Sequence, residues 1–242
     1  MILVPGITLT GQATIQGAAL FAPLSLSLDA GQWTCLLGGS GVGKSTLLRL
    51  ICGLPTGAEF TGDIRASDGG EVSARVAYMA QDDLLMPWAT VSQNILLGAA
   101  LRGDPRDHPR LAQILDRVGL TDHAAKKPSA LSGGQRQRVA LARTLMEDKP
   151  VILLDEPFSA LDAQTRAAMQ DLSAEVLRGK TVLIVTHDPI EAARLGDNIQ
   201  IMSAEGLMGV TPPTGPIPRP VTSLDVLKTQ ADLLTRLRKV PS

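Results

Sequence analysis

The run from Gly38 to Thr46 reads G-G-S-G-V-G-K-S-T, and it constrains this chain more than any other stretch. Gly38, Gly43, Lys44 and Ser45 fall on the pattern G-x-x-x-x-G-K-[ST], a phosphate-binding loop. Glycines let the backbone amides from Gly38 through Gly39, Ser40, Gly41, Val42 and Gly43 converge on phosphate oxygens. Lys44 reaches the outer phosphates, Ser45 offers a hydroxyl to Mg2+, and Thr46 lies in the first helical turn, whose partial positive charge favours an anion. Such a loop works only between a strand and a helix. Trp33, Thr34, Cys35, Leu36 and Leu37 supply a short apolar strand before it, and Leu47, Leu48, Leu50 and Ile51 an apolar helix face after it. The chain is therefore expected to be α/β and to bind a nucleoside triphosphate.

At 242 residues it can bury a large core without staples. Its 23 basic and 24 acidic residues nearly cancel, so composition makes no general case for a nucleic-acid or membrane-surface partner. With one tyrosine, two tryptophans and three phenylalanines, stacking platforms for single strands are scarce, and no nucleic acid is expected. Cys35 and Cys52 lack any C-x-x-C or metal-ligand spacing, which predicts buried structural thiols in a reducing compartment. From Met1 to Thr10 there is no basic leader or cleavage site, so no secretory signal is expected. The apolar runs Val151 to Leu154 and Val182 to Val185 fall far short of the roughly 20 residues that span a bilayer.

Leu24, Leu26 and Leu28 alternate with Ser25, Ser27 and Asp29, the period of a half-exposed strand. The turn residues Asp68, Gly69 and Gly70 predict a hairpin joining Asp63–Ala66 to Arg75–Ala80. From Thr90 to Met146 the pattern is helical, with Thr90 capping a segment that carries Val91, Ile95 and Leu96, and with Leu111, Leu115 and Val118 marking a second stripe. Alternation of strand and helix returns after Lys149, and Ala168, Leu172 and Val176 predict the apolar face of a helix starting at Asp162. The expected organisation is a nucleotide-binding domain over 1–210, interrupted by a helical subdomain at about 82–148. A proline-rich connector and a short helix from Ser223 through Leu237 complete 211–242. That last segment is equally compatible with docking on the core or on a second copy.

Two further strings carry chemistry. Val151 to Leu154 form an apolar strand that ends in Asp155 and Glu156, where Asp155 can organise Mg2+ through its water shell and Glu156 can act as general base on an attacking water. Leu131, Ser132, Gly133, Gly134 and Gln135 open a helix, with Ser132 as a natural N-cap and two glycines that allow a phosphate to approach. Two glycine-rich phosphate sites in one chain imply either two ligands or one ligand shared between chains.

With these strings in this order, the sequence resembles the ATP-binding cassette family from its first strands to about Met202. Leu131 to Gln135 is that family's signature peptide unchanged. Gln81 stands where its glutamine loop lies, Ser159, Ala160, Leu161 and Asp162 match its dimer-contacting loop, and His187 follows Thr186 as in its switch-histidine segment. The resemblance implies a P-loop NTPase core with an antiparallel β subdomain and an inserted α-helical subdomain. It also implies two ATP molecules held with Mg2+ at the interface of a head-to-tail pair. Ser132, Gly133, Gly134, Gln135 and Asp162 would then serve the partner's nucleotide, while Gln81 would contact Mg2+ or the attacking water and His187 the outer phosphate. One departure concerns the base. Where the family stacks an aromatic on adenine, this chain has Ile15.

The peptide Asp82, Asp83, Leu84, Leu85, Met86, Pro87 and Trp88 follows Gln81, where the family receives a helix of a membrane subunit. Its wording resembles importer ATPases of the nitrate, sulfonate and taurine group, and on overall similarity the hydroxymethylpyrimidine or thiamine-precursor branch. This implies a cytoplasmic subunit, peripheral on the inner face of the membrane. Its expected partners are integral permease subunits and, through them, a substrate-binding protein. The competing class is a soluble cassette ATPase in cofactor assembly or in DNA or translation work. No coiled-coil insertion or tandem copy supports the latter two, and Glu156 and His187 argue against a scaffold without turnover.

Overall fold

Alternating apolar and polar residues commit the first part of the chain to strands. In the computed structural model, which describes residues 4–239, the order begins β1 (Ile7–Ile15), β2 (Ala18–Leu28), β3 (Trp33–Gly38), α1 (Lys44–Ile51), β4 (Glu59–Ala66) and β5 (Val76–Met79). Helices follow: α2 (Val91–Ile95), α3 (Leu97–Arg102), α4 (His108–Arg117) and α5 (Gly133–Met146). Then come β6 (Val151–Asp155), α6 (Ala163–Val176), β7 (Thr181–Val185), α7 (Pro189–Leu195), β8 (Asn198–Ser203), β9 (Gly206–Val210) and α8 (Leu224–Leu237). The outer ends of the 1–210 and 211–242 segments lie outside the described residues.

Contacts divide the chain into two compact units, one made of 79–149 with 157–178 and the other of the remaining described residues. The second holds both sheets. One is three-stranded in the order β2-β1-β4 and antiparallel; the other is six-stranded in the order β5-β6-β7-β3-β8-β9. Within it β6, β7, β3 and β8 run parallel and β9 returns antiparallel. The central strands β3, β6 and β7 are buried on both faces, which is why they read as continuous apolar runs rather than as alternation. Leu9, Leu26, Phe21, Leu36, Leu47, Leu48, Leu153 and Val185 share one core between the two sheets and α1.

The hairpin expected at Asp68–Gly70 does not form. β4 pairs with β1, while β5 takes the edge of the other sheet. A turn is present, with Gly69 at φ +74°, but a turn specifies a change of direction and not which edge the next strand joins. The chain between them includes a short 3-10 turn, Ser73–Arg75.

In the helical unit Thr90 caps α2 with a full capping box, accepting from the Gln93 amide while the Gln93 side chain accepts from the Thr90 amide. Leu111 and Leu115 are buried on α4, and Val118 at its C-terminal end. The face of α6 differs from expectation: Ala168 is exposed and Leu172 half-buried, and the helix buries Met169, Gln170, Ser173, Ala174 and Val176. Small and amide side chains fill this side, and a hydrophobicity pattern passes over them.

The C-terminal helix docks on its own core. α8 packs on α7 and buries Val226 and Leu233 completely, with Ser223 at its N-cap position but making no side-chain capping bond. Arg219, at the end of the proline-rich connector, is buried and donates from Nη1 to the carbonyls of Ala193 and Gly196, closing the C-terminal end of α7.

Candidate active site

The phosphate loop leaves the C-terminal end of β3 and enters α1 through Gly43, which sits in the left-handed region at φ +97°. A β-carbon there would lie 2.9 Å from Phe21 Cδ1 and 3.0 Å from Leu20 Cγ, so both the turn and its packing require glycine. Lys44 is buried, and its Nζ donates to the carbonyl oxygens of Gly38 at 2.9 Å and Gly39 at 2.7 Å. Burial lowers its pKa, and the nearby carboxylates of Glu156 and Asp155 oppose that shift.

Strand β6 delivers the acidic pair to the same unit. Asp155 is only 4% exposed, and its two oxygens are divided between two donors: Ser45 Oγ reaches Oδ1 at 3.1 Å and Tyr78 Oη reaches Oδ2 at 2.9 Å. The Tyr78 phenol is pushed up to about 12, first by burial and then by Asp155, with Arg49 acting the other way. Glu156 follows with φ +45°, its amide donating to the carbonyl of Val185 at 2.9 Å. This bend takes it off the strand. Its Oε2 meets His187 Nδ1 at 2.9 Å. With the carboxylate ionised, Nδ1 is the donor, which fixes the ring and points Nε2 away from Glu156. Thr186 and Asp188 secure His187 on either side: Thr186 Oγ1 donates to the buried Glu191 and accepts from the Asp188 amide, and Asp188 caps α7.

Thus Lys44, Ser45, Asp155, Glu156 and His187 come together in one unit. Ile15, at the end of β1, lies opposite Ala18 and is 37% exposed. Its hairpin supplies the Leu20 and Phe21 side chains that pack on Gly43. The other predicted residues belong to the helical unit. Gln81 is exposed in the loop after β5. Ser132 is exposed at the head of α5 in a capping box, its Oγ accepting from the Gln135 amide at 3.2 Å and its amide donating to Gln135 Oε1 at 2.9 Å. Gly133 is unobstructed, whereas a β-carbon on Gly134 would meet Thr165 Cγ2 at 2.5 Å. The second glycine is thus required by the approach of α6. Asp162 caps α6, accepting from the amides of Gln164 and Thr165, and these bonds hold its carboxyl below the usual range.

Four residues to which no motif assigns a role shape these parts. Tyr78 is the first; its signal was its position near the end of a strand beside the acidic pair. Asn94 is fully buried and binds the Met86 amide and the carbonyls of Met86, Ala89 and Thr90. Arg143 donates to the carbonyls of Asp83 and Leu84, and Arg136 pairs with Asp83. Together they fix the 83–90 loop so that Trp88 is 71% and Leu84 57% exposed while Leu85 is buried.

The donor chemistry at Ser45 and Asp155 suits Mg2+: a hydroxyl and a carboxylate, both hard oxygens, already 3.1 Å apart. Among the described residues no group of three or more His, Cys, Asp or Glu is placed to hold a metal ion by itself. Nor is any helix among the described residues long and apolar enough to cross a membrane.

Comparison with known proteins gives a consistent result. A family model described as ABC transporter matches residues 21–159. An uncharacterized ABC transporter ATP-binding protein of Haemophilus influenzae is 43% identical over 228 residues, covering 91% of this chain and 93% of that protein. The aliphatic sulfonates import ATP-binding protein SsuB 2 of Agrobacterium fabrum is 50% identical over 188 residues, or 77% of this chain and 71% of its own. SsuB of Escherichia coli K12 is 44% identical over 220 residues, covering 88% and 83%.

Proposed function

This chain belongs to the ABC transporter family, and from that membership we propose that two copies hydrolyse Mg-ATP to drive import of a small organic solute through separate membrane permease subunits. The observation that carries the reading is the pairing, within one unit, of Ser45 with Asp155 at 3.1 Å and of Glu156 with His187 at 2.9 Å. Around the P-loop, Lys44 and the first amides of α1 bind the phosphates. Glu156, a half-buried carboxylate bent off its strand, is the base for the attacking water, and His187 is fixed to contact the outer phosphate. Ser45 and Asp155 would hold Mg2+, which when bound neutralises charge developing on the phosphates. Gln81 joins the Mg2+ or water contacts. Ile15 covers the adenine with an aliphatic side chain in place of an aromatic ring.

Enclosure of the nucleotide comes from the second copy, whose Ser132, Gly133, Gly134 and Gln135 meet the outer phosphate, with Asp162 in the dimer-contacting loop. The exposed position of Ser132 supports this. Trp88 and Leu84, held outward by buried polar clamps, favour an apolar partner. We assign that partner as the membrane permease, which puts the chain on the cytoplasmic face as a peripheral subunit, with a substrate-binding protein reached only through the permease. The relatives named for aliphatic sulfonate import support an importer over a soluble assembly ATPase. They make a small sulfonate the first cargo class to assay.

Detergent-solubilised membranes from cells expressing the tagged chain provide the test. An integral membrane protein should co-purify, and the complex should turn over ATP, while the same complex carrying Glu156→Gln should bind ATP, accumulate as a closed pair and not turn over. Recovery with soluble proteins only would overturn the transport reading, and normal turnover by the variant would remove Glu156 as the base.

A further inference from the structure

Asp155 is bonded on both of its oxygens, and only one of the two partners belongs to the phosphate loop. Ser45 Oγ takes Oδ1, and Tyr78 Oη takes Oδ2 at 2.9 Å. Tyr78 is the last residue of the nucleotide-binding unit before the chain passes into the helical one, on β5, the neighbour of β6 in the sheet. Arg49, one helical turn beyond Ser45 on α1, stands beside its phenol. A carboxylate rotates about its terminal bond between two nearly equivalent settings. One so deeply buried needs donors to choose between them, and here each oxygen has its own. A phenol is protonated at neutral pH, so Tyr78 is the donor and the Asp155 carboxylate the acceptor.

We propose that Tyr78 is a positioning residue for the cation site: its hydroxyl anchors Oδ2 of Asp155 so that Oδ1 faces Ser45 and the Mg2+ that accompanies the nucleotide. The proposal rests on the nucleotide reading of the P-loop and adds to it a residue that touches neither nucleotide nor metal. Partners that hydrogen-bond a metal-organising carboxylate typically change metal affinity by about 10- to 100-fold when removed.

Tyr78→Phe keeps the ring and deletes only the donor. Binding of a non-hydrolysable fluorescent ATP analogue, titrated with free Mg2+ and repeated in EDTA, separates the possibilities. The half-saturating Mg2+ concentration should rise about ten-fold, with binding in EDTA unchanged. An unaltered Mg2+ dependence overturns the proposal. So does a loss of equal size with and without Mg2+, which would make Tyr78 a packing residue only. Failure of the parent protein itself to bind the analogue would instead sink the reading of the P-loop.

Discussion

At the head of α1 the N-cap is Gly43, which has no side chain to offer, and no side-chain capping bond is made there. At the head of α5 the N-cap is Ser132, which with Gln135 satisfies two backbone amides reciprocally. Both starts are rich in glycine, and both present first-turn amides that a helix cannot satisfy by itself. Under the proposed function, the first start leaves its donors to a ligand, with Lys44 buried alongside. The second satisfies two of its amides with its own side chains. Under the proposed function, this self-capped end is the one that meets a ligand carried by another copy. In the capping bond Ser132 Oγ is the acceptor, so its own hydrogen can still donate to a phosphate.

The comparison breaks most readily at Lys44. Lys44→Ala should weaken ATP binding by on the order of ten- to a hundred-fold, since a charge-assisted hydrogen bond contributes about 1.5–3 kcal/mol. The melting temperature of the ligand-free protein should move little, because the two carbonyl bonds of the ammonium are offset by its burial. Equilibrium binding and calorimetry on one preparation check both halves. A large loss of stability with intact binding would mean that Lys44 serves the fold.

At α5 the order of effects reverses, and stability is the larger response. Gly134→Ala places a methyl 2.5 Å from the β-branched, rotamer-restricted Thr165, an overpacking that should cost about 1–3 kcal/mol in denaturant unfolding. Gly133→Ala, whose methyl would meet only the Arg136 side chain at 3.9 Å, should cost nothing measurable. Equal effects of the two would show that the glycines are there for phosphate approach alone.

What the sequence made legible follows the same division. The strand before the P-loop, the buried strands at Val151 and Thr181, the Thr90 and Ser132 caps and the helix from Asp162 were readable because each rests on local chemistry within a few residues. β4 and β5 were misassigned because strand partners are chosen by tertiary burial, and the buried face of α6 was misread because Gln170 and Ser173 are polar where apolar residues were sought. In the site, phosphate and acidic residues could be named from motifs. Tyr78, Arg143 and Arg219 could not, because a polar residue has no pattern until its partner, tens of residues away, is known; Asn94 binds nearby backbone, but in a loop that follows no regular period.

Ser132 carries the smallest and most discriminating change. Ser132→Ala removes the cap and should cost about 1 kcal/mol of stability, leaving ATP binding to the single copy intact and slowing turnover by the pair. Since a cap and a phosphate contact would both be lost, that result alone assigns nothing. Ser132→Asp separates them: aspartate caps as well as serine does and favours the positive end of the helix, yet it cannot donate and brings a negative charge toward the phosphate. If the signature serine meets the partner's nucleotide, Ser132→Asp keeps its melting temperature and loses turnover and ATP-dependent pairing. If turnover survives with the cap intact, the start of α5 differs from that of α1 in a deeper way, as a capped helix end that binds no phosphate at all.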